Sequence, residues 1–133
     1  MSRTNRFFQV AVLSALSTVA TIALPGAAEA AESTGASGYV VDLVLNSPTS
    51  ERYGDYQGSV LLLEGDVANA AKHEYKWGGT VCSGYMPGAE LIRYLFEAMR
   101  AGRTLQVVPN YKPGVGGARC LVGFKVRQRP APV

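Results

Sequence analysis

Residues 39–45, YVVDLVL, are apolar and β-branched, with Val41, Leu43 and Leu45 on one side of an extended chain and Asp42 on the other, a pattern that predicts a strand. Asn46-Ser47-Pro48 stops it, and residues 46–57 read as a polar connection holding Tyr53, Gly54, Asp55 and Tyr56. Residues 58–64, GSVLLLE, read as a second strand, although the central apolar run is too short for its period to decide the element. Over residues 66–74 two readings stay open: a short helix capped by Asp66, or a wide loop. Residues 75–81 read as a third strand, with Tyr75 and Trp77 on one side and Gly78-Gly79 marking a bulge or a close backbone approach.

A helix follows. Pro87 suits its first turn and Gly102 the position just past its end. Between them Leu91, Ile92, Leu95, Phe96 and Met99 recur at helical spacing, while Glu90, Arg93, Glu97 and Arg100 take the other side. Met86 stands where a capping side chain would be expected ahead of Pro87. Residues 104–108 predict a fourth strand, residues 109–118 (PNYKPGVGGA) a loop, and residues 119–127 a fifth strand. Alternation in that last strand puts Cys120, Val122, Phe124 and Val126 on a buried face, and Arg119, Leu121, Gly123, Lys125 and Arg127 on the other. The expected fold is a single small α+β domain, one amphipathic helix on an antiparallel sheet of four to five strands in the order ββ(β)αββ.

The first thirty residues stand apart. Arg3 and Arg6 precede an apolar stretch from Phe7 to Leu24, Pro25-Gly26 breaks it, and Ala28-Glu29-Ala30 is a small-x-small site; this is the order of a secretory signal peptide cleaved after Ala30. Residues 31–38, small and polar, then read as a flexible leader, and residues 39–133 as the globular domain, secreted or periplasmic and without an integral membrane segment after cleavage. In an oxidising compartment the two cysteines, Cys82 and Cys120, are expected to form one structural disulfide. Their wide separation argues against a redox-active pair.

Composition narrows the function. The chain has 133 residues, 47% hydrophobic and 17% charged, which excludes both disorder and a large multi-domain enzyme. A single histidine, His73, removes most histidine-based metal sites and catalytic triads, and no metal or cofactor is expected. The net charge of +3 is unevenly spread: residues 31–97 carry nine carboxylates against four bases, whereas residues 98–133 carry seven bases and no acid. Lys112, Arg119, Lys125, Arg127 and Arg129, with Tyr111, are therefore the candidate binding residues for an anionic envelope component or an acidic protein. The opposing reading neutralises these bases against acidic strands across the sheet. The glycines of KPGVGGAR, between Lys112 and Arg119, add a candidate anion-binding concavity.

Tyr53, Tyr56, Tyr75, Trp77, Tyr85 and Tyr111 fall in or near expected loops, where aromatics favour protein or sugar recognition, while Tyr94 is assigned to the core. Catalysis has little footing. His73, Glu74 and Lys76 alternate along a strand, Ser83 lacks a nucleophile elbow, and Asp42, Asp55, Glu64 and Asp66 have no ligand-loop spacing. Nucleic acid is not expected as a partner, since no recognition motif for it occurs. The sequence thus points to a small exported non-catalytic binding protein. The alternative is a secreted or periplasmic hydrolase inhibitor acting through residues 109–118 or 83–88.

Overall fold

The computed structural model describes residues 30–65 and 69–130. The signal segment up to position 29, and Asp66 with its proposed helix cap, lie outside them. The described elements are β1 (Ser33–Thr34), β2 (Tyr39–Leu45), β3 (Gly58–Leu63), β4 (Lys72–Trp77), α1 (Ala89–Arg100), β5 (Leu105–Pro113) and β6 (Arg119–Gln128). They build one α+β domain in which a single helix packs on a six-stranded sheet of spatial order β1-β5-β6-β4-β3-β2. The sheet is mixed rather than antiparallel, because β6 returns beside β4 in the same direction, at the rung Lys76–Cys120.

β1 and β2 are successive parts of one segment. Ser33 and Thr34 pair with Tyr111 and Asn110 of β5, and Gly38 exchanges both backbone bonds with Val107 at 2.9 and 2.8 Å. From Tyr39 onward the same segment pairs with β3. The two ends of the sheet therefore meet along residues 33–45. Residues 31–38, read from composition as a loose leader, in fact contribute two paired strand residues and the closing rung.

Two bulges overturn the expected faces. In β2, Val40 stands opposite Leu62 and Asp42 opposite Leu61, so Val41 is the extra residue. Val40 is buried and Val41 is 45% exposed, the reverse of simple alternation. In β6, Leu121 opposes Tyr111 and Gly123 opposes Asn110, which makes Val122 the extra residue. Leu121 and Phe124 consequently share a face, and Cys120 lies on the opposite one with Lys112. Cys120 is nonetheless fully buried: Val81, Cys82 and Gly114 lie against it.

Element limits also shift. β4 spans Lys72–Trp77 rather than residues 75–81, ended by left-handed Gly78 and Gly79. β5 runs on to Pro113, so residues 109–113 are strand and not loop. Pro109 is tolerated because its carbonyl, bonded by Gly35 N–H at 2.8 Å, shows that this residue directs its backbone polar groups away from β6; its missing N–H costs no bond there.

The helix begins after Gly88, which caps it without a side chain, so Pro87 precedes the first turn; Gly102, with φ of 60°, follows the C-cap as expected. Its inward line is Ile92, Leu95, Ala98 and Met99, against Val40, Val60, Leu62, Val107 and Leu121. Leu91 and Phe96, assigned inward by periodicity, lie largely outside. Tyr75 and Trp77 belong to the core instead of to an exposed recognition surface, and Tyr94, assigned to the core, is 46% exposed.

Candidate functional site

β6 begins only at the level of Lys76, so on this side the earlier residues of β4 have no strand beside them. The short 3-10 turn Val115–Gly117 stands across that gap, with Gly116 and Gly117 at φ of 67° and 76°. The gap is a cavity of about 330 Å³ lined by Lys72, His73, Glu74, Lys76, Arg119 and this turn. Its lining residues include three cations, Lys72, Lys76 and Arg119, and one acid, Glu74; the strand register puts Lys72, Glu74 and Lys76 on one face of the sheet and Arg119 with His73 on the other. The ammonium of Lys76 also sits 4.7 Å from the centre of the Tyr56 ring, which fixes its position.

Arg119 anchors the inner wall. Its guanidinium lies 5.8 and 5.4 Å from the ring centres of Tyr75 and Tyr111, and those two rings are tilted against each other at 5.5 Å. It donates to Nδ1 of His73 at 3.1 Å, and Nε2 of His73 lies 2.9 Å from a carboxylate oxygen of Glu64. Arginine has no acceptor, so Nδ1 accepts and the ring proton sits on Nε2, donated to Glu64. Both imidazole nitrogens are thereby occupied. The Tyr75 hydroxyl beside this chain is buried without a hydrogen bond of good geometry, with the Arg119 guanidinium close enough to favour its ionised form. Burial raises its pKa above the ordinary value, and the neighbouring Arg119 opposes that rise.

The residues singled out from the sequence do not form one continuous basic patch. Arg119 and Tyr111 meet at the cavity wall. Lys112 turns to the other face of the hairpin, 5.8 Å from the Tyr85 ring, and the glycine turn is flanked by Lys72 and Lys76 of β4 in its place. Lys125 and Arg127 lie together on the exposed far half of β6, where Arg127 donates to Gln106 at 3.1 Å and Ser37 at 2.9 Å. Arg129 continues that end, its amide bonded to the Thr104 carbonyl. Cys82 and Cys120 are bonded as expected. His73 and Glu64 were missed as a pair. Leu62 opposite His73 places Glu64 two residues on, towards the same side, and that needed the register.

A second cavity, about 190 Å³, lies between residues 84–88, Leu91 and residues 121–122. Met86 beside it is 56% exposed. Among the described residues no group of three or more His, Cys, Asp or Glu is placed to hold a metal ion, and no helix is long and apolar enough to cross a membrane. Comparison of the chain with protein-family models, with curated proteins and with solved structures gives no match.

Proposed function

We propose that the chain is a non-catalytic binding protein, secreted or periplasmic, that takes an anionic group in the cavity between β4 and the Val115–Gly117 turn. The observation that carries this reading is the lining: Lys72, Lys76 and Arg119 against the single carboxylate of Glu74. The ligand chemistry is a phosphate or carboxylate. The occupied nitrogens of His73 support binding over general-base catalysis, since neither is open to a substrate proton. A disulfide in a domain with no membrane-crossing helix among its described residues is compatible with a place outside the cytoplasm.

The test is an NMR titration at low ionic strength with inorganic phosphate, with citrate, and with vesicles containing phosphatidylglycerol, which separate a free anion from a lipid headgroup. Amides of residues 72–76 and 114–119 are expected to shift in a saturable, salt-sensitive way, and the Lys72→Ala, Lys76→Ala double variant is expected to lose the response. Unmoved amides with all three probes, or an unchanged response in the double variant, would refute the reading. The inhibitor alternative retains one favouring observation: Met86 stands out from a segment held by the disulfide at Cys82 and by the bond from Gly78 N–H to the Tyr85 carbonyl at 2.7 Å. Of the two loops considered for it, residues 109–113 are strand, which leaves residues 83–88 and the turn at 114–118.

A further inference from the structure

The far half of β6 is a sheet edge. Directly opposed residues in an antiparallel pair alternate between exchanging both backbone bonds and exchanging none. Val107 exchanges its bonds with Gly38, and Pro109 accepts from Gly35, so both turn away from β6. Their opposites on β6, Val126 and Phe124, therefore make no ladder bond with β5 and direct their N–H and C=O groups to the other side. β4 pairs with β6 on that side only at Cys120, and no described strand reaches beyond it. The outward edge over residues 123–128 is roughly 20 Å long. Lys125 and Arg127 stand on one face of it, with Arg129 just past its end and no Asp or Glu in residues 98–133.

We infer that this edge accepts an extended acidic segment of a partner polypeptide as an added strand. The outward amides and carbonyls of Phe124 and Val126 supply the main-chain bonds, and partner carboxylates at alternate positions meet Lys125 and Arg127. Towards Val122 the edge runs into the 190 Å³ cavity beside Met86 and Leu91, which would take an apolar partner side chain. A second copy of this chain is disfavoured as the occupant, because antiparallel pairing of two β6 edges sets Lys125, Arg127 and Arg129 of the copies against one another. This surface is distinct from the Lys72–Lys76 cavity, and its test reads different amides.

The experiment uses a blocked hexapeptide alternating valine and glutamate, with two versions N-methylated at alternate amides. In the free protein, hydrogen exchange at Phe124 and Val126 is expected to be fast beside that at Lys125 and Arg127, whose amides face β5. Peptide binding should slow the former pair. One of the two methylated peptides should bind about tenfold more weakly and the other should match the parent, because only one edge of the peptide pairs. Val126→Pro removes an outward N–H without removing a β5 bond, and Lys125→Glu reverses a charge; each is expected to weaken binding about tenfold. If Val126→Pro fails to fold, the methylated pair on the unaltered protein still decides. The inference is overturned by equal affinity of the two methylated peptides, which marks mere electrostatic adhesion. It is equally overturned by absence of saturable binding, or by a concentration-dependent dimer that protects Phe124 and Val126.

Discussion

Replacing Cys120 with alanine removes the one covalent link between the segment leading into α1 and the start of β6. The link joins positions 38 residues apart. Loop-closure entropy for a ring of that size corresponds to about 4 kcal/mol, counted in the unfolded chain. The native state adds to this, because both cysteines are almost wholly buried and Gly114 and Val81 pack against the sulfurs, so truncation leaves a small void. For a domain of this length, whose total stability is of order 5–15 kcal/mol, the loss should lower Tm by roughly 15–30 °C. Cys82→Ala should cost nearly the same, and the double variant little more than either, because all three remove one bond. Thermal and urea unfolding followed by circular dichroism measures all three, with thiol titration of the unfolded parent as the chemical check. Burial also gives a kinetic expectation: reductant should attack the parent only through opening of the 114–118 turn, so reduction should be slow in native buffer and fast in urea. Single variants within a degree or two of the parent, or additive losses in the double variant, would refute the account.

Tyr75→Phe deletes a buried hydroxyl that has no hydrogen bond of good geometry, and should leave stability unchanged or raise it by up to about 1 kcal/mol by urea denaturation; a loss above about 1 kcal/mol would mean that the adjacent Arg119 bonds it. The same hydroxyl holds its proton longer in the folded than in the unfolded chain, so the folded state binds more protons above about pH 10 and stability falls as pH rises through that range. Tyr75→Phe should flatten this alkaline decline, and an identical pH profile for variant and parent would contradict it. Gly58→Ala places a methyl group against the indole of Trp77, which is buried on the neighbouring strand, and should cost about 1–3 kcal/mol in the same denaturation assay.

Much of this molecule is legible residue by residue. The run YVVDLVL forms a strand at residues 39–45, Gly102 follows the helix, and two lone cysteines 38 residues apart are bonded. The first two depend on local propensity and backbone sterics carried by neighbouring residues, and the third on each cysteine having one possible partner in the whole sequence. The faces of β2 and β6 depart from simple alternation because Val41 and Val122 bulge, and one inserted residue inverts a period-two pattern while leaving composition untouched. The helix stripe was rotated for a related reason: apolar residues occupy more of the helix than the sheet can cover, and Leu91 and Phe96 lose the contest to Ala98. The parallel placing of β6 beside β4, the rung between Gly38 and Val107, and the Glu64–His73–Arg119 chain unite residues 44 or more positions apart in at least one contact each. Such meetings are set by which strand edges remain free once the core is packed, a property of the assembled sheet that no local stretch of residues contains.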